Sequence, residues 1–436
     1  MAVKLGTIGI IADDLTGAND TALQFHLRGC NTQILFDYST VPDGKINTQA
    51  WAISTETRHS NPKEASEIVK NATKMLVNNL SIEYLYKKMD STLRGNIAPE
   101  ALAVLDAMGW DAAVIVPAFP AEGRVTVGGY HLLKGIPLER TEFARDPQFP
   151  IYESHIPSLL KKQVENPDIV SFIELKTVMR GAGPILVELQ EHIKNNKKLI
   201  VLDAVSTTDM EQIVLAIEKS NFNILPCGSA GLAQSLSKFW LPEMKHQHIT
   251  KVIPTLPILL VSGSATSITK TQITKLAESD EFEPHIIELT PQQVLSEPSE
   301  ELVDRIISYL GTNGIVLVHS APLEGDISKT AEFASEQGID SENIHSIVSD
   351  YLANLTKKVV DKHNLILVLI GGETSYKCCN AIDSKHLQLI DEVEPVIPLC
   401  LDHKAQWVVT KSGNLGAPNT LINILKYFQQ HQETKQ

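Results

Sequence analysis

Two neighbouring aspartates at the end of an apolar run are the first residues of this chain that could do chemistry. Ile10-Ile11-Ala12 leads into Asp13-Asp14, and Leu15-Thr16-Gly17-Ala18-Asn19-Asp20 reads as the start of a helix. Carboxylates placed there can hold a sugar hydroxyl, accept its proton or ligate Mg²⁺. A helix cap would need only one of the two. A second polar cluster, Lys88-Met89-Asp90-Ser91-Thr92-Leu93-Arg94-Gly95-Asn96, again follows an apolar run. Lys88 and Arg94 carry the donors that clamp a carboxylate or neutralise phosphoryl oxygens, and Asp90 and Ser91 can bond hydroxyls. The competing reading is an ion pair between Asp90 and Arg94, four residues apart on a helix start. A third run, Ser54-Thr55-Glu56-Thr57-Arg58, ends in a lone arginine. Arg58 is either a further cation of the same clamp or a solvated loop residue. Asp13 and Asp90 are the candidates to orient or deprotonate a hydroxyl, and the spacing does not choose between them.

Later in the chain the chemistry shifts to small residues and backbone amides. Leu260-Val261 is followed by Ser262-Gly263-Ser264-Ala265-Thr266-Ser267, Ile370 by Gly371-Gly372-Glu373-Thr374-Ser375, and the last apolar run by Lys411-Ser412-Gly413-Asn414-Leu415-Gly416-Ala417-Pro418. Glycine lets the backbone approach a phosphate, hydroxyls add donors, and a following helix offers free N–H groups at the positive end of its dipole. Each loop alone could be plain chain reversal; three of them predict a nucleotide cradle. The chain has no G-x-x-x-x-G-K-[ST] loop, no H-R-D or D-F-G set and no spaced His/Cys metal cluster, and the sequence assigns no metal ligand. Gly228-Ser229-Ala230-Gly231-Leu232-Ala233 is a fragment of a dinucleotide fingerprint without its third glycine.

The elements that position these residues follow an alternating pattern. Apolar runs of strand length alternate with helix-period segments, which predicts an α/β fold of two domains, each with a largely parallel sheet flanked by helices and the active site in the cleft between them. Strands are expected at Thr7–Ala12, Thr32–Asp37, Ala50–Ser54, Tyr84–Lys88, Ala113–Pro117, Ile169–Ile173, Leu199–Ala204 and Asn223–Cys227, then at Ile258–Ser262, Gly314–His319, Leu365–Ile370 and Trp407–Thr410. Helices are expected at Thr16–Arg28, Pro62–Leu80 and Asn343–Val360. Phe119–Tyr152, rich in Pro, Gly, Arg and Glu, shows no period and reads as a long loop that covers a substrate. His131 within it reads as structural. The polar, proline-bounded run from Leu241 to Leu256 predicts a domain boundary, giving domains 1–245 and 253–436.

Composition narrows the partners. With 436 residues, 43% hydrophobic and 21% charged, the chain is long enough for two ordinary cores. A net charge of -14 without a basic run argues against nucleic acid as a partner, so an anion must be handled by a local cluster of cations. No apolar stretch spans a bilayer, the N-terminal residues carry no leader pattern, and five cysteines without a C-x-x-C pair read as reduced core thiols. These features predict a cytoplasmic protein, and they leave homo-oligomerisation open. Together the clusters predict an ATP-dependent kinase for a small acidic polyol. A nucleotide- or sugar-acid-binding regulator and a Mg²⁺-dependent lyase are the rivals from other classes.

Taken in order, Ile11 to Ala18, Lys88 to Asn96, Pro117-Ala118-Phe119-Pro120 with Gly123-Arg124, Gly228 to Ala233, Ser262-Gly263-Ser264, Gly371 to Ser375 and Lys411-Ser412-Gly413 resemble the four-carbon acid sugar kinase family over nearly the whole chain. The resemblance implies ATP-dependent phosphorylation of the 4-hydroxyl of D-threonate, D-erythronate or a 3-oxo-tetronate, and the transfer is expected to use ATP with Mg²⁺. It also implies an acid sugar held by the N-terminal domain and ATP by the C-terminal domain. By matching motif, Asp13, Arg58 and Lys88 through Ser91, with Asp90 among them, take the substrate side, to which the residue chemistry adds Asp14 and Arg94. Ser262, Gly371, Gly372, Glu373 and Thr374 with the last-loop glycines Gly413 and Gly416 take the nucleotide side, to which the loop chemistry adds Gly263 and Ser264. The chain departs from the family pattern at Leu15, where Phe is frequent, and at Asn414-Leu415, which unsettles the register of the last loop. The Asn19-Asp20-Thr21 continuation and the Lys-x-Asp-Ser-Thr-Leu-Arg-Gly form lie closer to the D-threonate and D-erythronate branches, and D-threonate is the expected substrate.

Overall fold

The computed structural model describes residues 6–36, 48–145, 150–241, 252–320, 336, 338 and 344–431. The chain divides into two compact units, Met1–Gln247 and His248–Gln436. The expected boundary run falls largely on residues 242–251, outside those described, as do Asp37 at the end of the second expected strand, Asp146-Pro147 in the expected cover and Asn343 at the start of the last expected helix.

The first unit is built on β1 (Ile8–Ala12), β2 (Thr32–Leu35), β3 (Ala50–Ser54), β4 (Tyr84–Lys88), β5 (Ala112–Val116), the short β6 (Arg124–Val127), β7 (Tyr130–Leu133) and β8 (Ile136–Pro137), then β9 (Val170–Ile173), β10 (Leu199–Leu202) and β11 (Ile224–Gly228). Eight of these form one all-parallel sheet in the order β2-β3-β1-β4-β11-β5-β10-β9. Both faces are covered, which is why the strands read as continuous apolar runs. One face carries α1 (Leu15–His26) and the helix Ala230–Trp240; the other carries α2 (Pro62–Leu80) and α3 (Ile97–Met108). Ile11, Ile53, Leu85 and Ile115 from the sheet pack there against Val69 and Leu76 of α2 and Ala98 and Val104 of α3. The start of α2 is set locally: Pro62 occupies the first turn, and the Asn61 side chain accepts the Glu64 N–H at 3.0 Å.

Strand order fixes where the chain reverses. From β1 it steps outward to β2 and returns to β3, then crosses to β4 on the other side of β1. The helix after β1 lies on one face and the helix after β4 on the other, so their exits part and leave a crevice, the position where open α/β sheets bind ligands. The exits of β1, β3 and β4 are the three places where the acidic and basic candidates stand.

The second unit repeats the design with β12 (Ile258–Ser262), β13 (His285–Glu288), β14 (Ile315–His319), β15 (Ile366–Ile370), β16 (His386–Glu394), β17 (Ile397–Asp402) and β18 (Trp407–Lys411), in the order β13-β14-β12-β15-β18-β17-β16. The first five in that order are parallel, and β17 and β16 add on antiparallel. The chain reverses between β12 and β15. The helix Ser267–Ala277 follows β12 on the face that carries Leu260, Val368 and Val409, and the helix Gly372–Ala381 packs with Ile344–Val360. Strands β13, β16 and β17 extend the sheet beyond the runs expected from periodicity.

One expectation is corrected here. Phe119–Tyr152 is not a structureless loop: β6, β7 and β8 form an antiparallel sheet within it. The turn between β6 and β7 is Gly128-Gly129, with φ of 60° and 77°, and the next turn, Lys134-Gly135, repeats positive φ at both residues. Such turns match the twist of a two-residue hairpin, so the sequence carried a hairpin signal that composition alone obscured. Asp203 at the end of β10 ties the hairpin down, accepting N–H bonds from Gly128 at 2.7 Å, Gly129 at 2.9 Å and Leu175 at 2.9 Å. Asp203→Ala leaves three N–H donors without their acceptor, of which only that of Gly129 is buried; it is expected to cost roughly 1–3 kcal/mol and to speed amide exchange at Gly128 and Gly129. Hydrogen exchange checks this, and unchanged protection of those two amides contradicts it.

Candidate functional site

In the first unit the candidates gather around one guanidinium. Arg58 donates from Nε to Asp13 Oδ2 at 2.8 Å and from Nη1 to Asp14 Oδ2 at 2.6 Å, and its Nη2 lies 4.0 Å from Asp90 Oδ1. Arg58 is therefore buried and not a solvated loop residue. Asp90 in turn accepts from Arg94 Nε at 2.7 Å, so the ion pair four residues apart exists within the cluster. Asp14 also caps α1, accepting the Gly17 N–H at 2.8 Å. It caps the helix and belongs to the Arg58 cluster as well. Lys88 is buried with Nζ 3.9 Å from Asp20 Oδ1, beyond hydrogen-bond range. Ser91 is half-buried, and its carbonyl faces His131 Nε2 at 2.9 Å.

That last contact assigns His131. A carbonyl can only accept, so Nε2 carries the proton and Nδ1 accepts from the Thr126 hydroxyl at 3.0 Å. Burial pushes its pKa down to about 4, which keeps the ring neutral. His131 thus fixes the β6–β7 hairpin against the Asp90–Arg94 loop as a structural residue.

Burial alone would raise the Asp13 and Asp90 carboxyls. The Arg58 guanidinium overrides it at Asp13, and Arg94 with Arg58 overrides it further at Asp90, so both sit below the ordinary carboxylate range. Their neighbours go the other way. Glu56, hydrogen-bonded by Ser54 Oγ, is pushed up to about 8 by burial and by the Asp14 charge, and Asp20 to about 6 by burial despite Lys88. Asp13 Oδ1 is buried and has no hydrogen-bond partner among the described residues.

Beneath the cluster lies a pair that periodicity did not single out. Lys87 Nζ meets Glu100 Oε2 at 2.7 Å, and Thr57 Oγ1 donates to Glu100 Oε1 at 2.7 Å. Asn96 Nδ2 holds the carbonyls of Thr57 and Ser60 at 3.0 and 2.8 Å. Asp13, Lys87, Arg94, Asn96 and Glu100 line one small recess. A lysine inside a fully buried strand demands a buried acid, and that demand was the readable signal for Lys87.

In the second unit the three small-residue loops converge. A Cβ on Gly263 would stand 2.3 Å from Thr374 Oγ1, and one on Gly413 would stand 2.2 Å from Ser264 Oγ, so a side chain at either position would displace the hydroxyl that faces it. Thr266 and Thr269 each donate a hydroxyl to the Gly413 carbonyl at 2.8 Å. Gly371 N–H bonds the Lys411 carbonyl at 2.8 Å, and Gly371 to Thr374 open the helix Gly372–Ala381, with Glu373 in its first turn 3.4 Å from Lys377. Ser262 Oγ is buried without a partner among the described residues. Gly416, with φ of 89°, has Thr420 as its close neighbour, just before the helix Thr420–His431. Among the described residues no three His, Cys, Asp or Glu side chains gather as a metal site, and no helix is long and apolar enough to cross a membrane.

Two α/β units, each with polar groups in the crevice where its strand order reverses, define a class of two-domain α/β proteins with a candidate ligand site in each unit. Residues 8–236 match the family described as sugar-binding N-terminal domain, and residues 259–421 the nucleotide-binding C-terminal domain. The chain is 30% identical over 97% of both lengths to a D-erythronate kinase of Heliobacterium modesticaldum. It is 28% identical, over 97% of this chain and 98% of the relative, to a D-threonate kinase of Salmonella typhimurium. To a 3-oxo-tetronate kinase of Haemophilus influenzae it is 26% identical over 94% and 97%. The crystal structure of a Haemophilus influenzae protein shares the fold with TM-score 0.72 at 23% identity, covering 96% of this chain and 100% of that one. The chain belongs to the four-carbon acid sugar kinase family and is a phosphotransferase acting on a sugar acid.

The carboxyl shifts carry opposite signs. Asp13 and Asp90, depressed in the folded state, stabilise above the ordinary carboxylate pKa and lose that contribution as pH falls below about 4. Glu56 holds its proton more tightly folded than unfolded, so its contribution worsens as pH rises from 4.5 towards about 8. Glu56→Gln is expected to be more stable than the wild type at pH 8 by roughly 1–3 kcal/mol and equal to it at pH 4. Urea unfolding at both pH values checks this; an identical pH slope in the two proteins contradicts it.

Proposed function

We propose that the chain transfers the γ-phosphoryl group of ATP to the 4-hydroxyl of a four-carbon sugar acid, D-threonate or its epimer D-erythronate, in the cytoplasm. The observation that carries the reading is Asp13 Oδ1, a buried carboxylate oxygen at a strand exit that lacks a partner in the described residues. A substrate hydroxyl is the donor that completes it. Asp90 has both oxygens committed to Arg94 and neighbouring donors, so Asp13 orients the hydroxyl and Asp90 holds the arginines in place.

The substrate carboxylate then needs a cation with capacity left. Arg58 and Arg94 are occupied by carboxylates, whereas Lys88 stands too far from Asp20 for a hydrogen bond and keeps donors for the acid. Phosphoryl transfer asks mainly for position and charge neutralisation, so a carboxylate with a depressed pKa suffices to align the attacking oxygen. On the donor side Ser262, the glycines at 263, 371, 372 and 413, Ser264 and Thr374 form the cradle for ATP. Mg²⁺ fits as a companion of the nucleotide, bound chiefly by its phosphate oxygens, where it would offset their charge. The chemistry requires the held acid and the held nucleotide to meet in line.

A coupled ADP-release assay on D-threonate, D-erythronate, L-threonate and 3-oxo-tetronates tests the reading. ADP release is expected with D-threonate or D-erythronate. Asp13→Asn should lower kcat by roughly 100-fold, and Asp90→Asn should lower it strongly as well. Lys88→Met should raise KM for the acid at least about tenfold with a smaller change in KM for ATP. Normal turnover in both aspartate variants would overturn the assignment.

A further inference from the structure

A lysine is hidden under the small-residue loops of the second unit. Lys411, the last residue of β18, is 1% exposed, and its Nζ donates to the Ser412 carbonyl at 2.9 Å. No carboxylate stands within ion-pairing distance of it among the described residues. Buried cations are normally matched by an acid, as Lys87 is by Glu100 in the first unit. Lys411 has no such match.

Its position in the sheet is set by register. Ser262 of β12 pairs with Ile370 of β15, which pairs with Lys411 of β18. All three stand at the level where three adjacent parallel strands end. Alternation along each strand puts them on one face, because Leu260, Val368 and Val409, two residues earlier in each case, belong to the same core cluster. That face also carries Ile273 and Leu276 of the helix Ser267–Ala277. The N-terminus of this eleven-residue helix, capped by Thr266, opens beside the same strand ends. Thr266 and Thr269, through the Gly413 carbonyl, lock the loop after β12 to the loop after Lys411. One place therefore combines a helix N-terminus, the unpartnered buried hydroxyl of Ser262 and an unmatched buried ammonium.

We propose that Lys411 is the buried counter-ion of the nucleotide phosphates, a positioning residue that acts through the Ser412–Gly413 loop and takes up a proton from solvent when the nucleotide binds. The inference rests on the nucleotide reading of this unit and deepens it. It requires a lysine that is largely neutral in the free protein and charged in the complex. Burial lowers the Lys411 pKa to about 7, with no charged neighbour contributing. The charged groups of the surrounding elements are engaged elsewhere: Glu373 with Lys377, Asp402 with Ser384, Lys275 with Glu278 and Lys426 with Glu281. Lys270 on the helix Ser267–Ala277 leaves the burial effect alone in setting Lys411. Phosphate dianions nearby favour the charged form and raise the pKa, so binding draws in a proton.

The test is titration calorimetry of MgATP into the full chain, without sugar acid, at pH 8 in two buffers of different ionisation heat. At that pH the terminal phosphate has lost its own proton, since its second pKa is about 6. The wild type is expected to take up most of one proton per ATP, and its affinity to fall by up to about tenfold per pH unit above pH 7. Lys411→Met should bind at least about tenfold more weakly with no uptake, and Lys411→Arg, always charged, should bind better than the methionine variant, also without uptake. Circular dichroism and the thermal transition establish that the variants fold. Absence of proton uptake in the wild type overturns the proposal without recourse to a variant, as does uptake that persists in Lys411→Met. ATP binding by the wild type with either of those results leaves the nucleotide reading standing. Failure of the wild type to bind ATP at all sinks that reading and this inference with it.

Discussion

Parallel strands deliver their exits to one edge of a sheet, and a reversal of strand order sends the flanking helices to opposite faces; that constraint positions everything else in this protein. In the first unit the reversal lies between β1 and β4, which brings Asp13, Asp14, Arg58, Asp90 and Arg94 from separate stretches of chain into one cluster. In the second it lies between β12 and β15 and sets the loops after Ser262 and Ile370 side by side. Neither cluster depends on a contiguous motif. Each depends on an order of strands that hydrophobic burial on both faces makes stable.

Within that frame the two units solve opposite electrostatic problems. The first neutralises itself: Arg58 and Arg94 are answered by aspartates and Lys87 by Glu100, leaving one carboxylate oxygen, Asp13 Oδ1, without a donor. Such a cluster is not a broad positive patch; on the proposed reading it selects a small molecule that presents both an anion and a hydroxyl. The second unit is built from neutral hydroxyls and amides around Lys411, which has no acid of its own among the described residues. On the proposed nucleotide reading it receives negative charge in place of supplying it. In a chain of net charge -14, that division would keep anion binding local.

Much of this was legible in the sequence, and the failures have physical causes. The strands Ala50–Ser54, Tyr84–Lys88 and Ile258–Ser262 match their expected bounds because fully buried parallel strands are unbroken apolar runs. The hairpin β6–β7 and the strand β16 were not expected, since half-exposed antiparallel strands mix polar and apolar residues; β17, buried and largely apolar, was also missed, its run interrupted by Pro398. Candidate residues at strand exits were visible from residue type and position. Their partnerships were not: that Arg58 is shared among three aspartates, or that Lys87 reaches Glu100, follows from strand order, which a single sequence does not display.

The central claim is a division of labour in which the first unit holds the acid and the second the nucleotide. Amide hydrogen exchange of the full chain, with D-erythronate or D-threonate alone and then with MgATP alone, measures it most directly. The account predicts that the acid slows exchange in residues 13–20, 55–60 and 89–97 and that MgATP slows it in residues 263–269, 371–376 and 411–416. Protection by the acid in the second set, or by the nucleotide in the first, would contradict it.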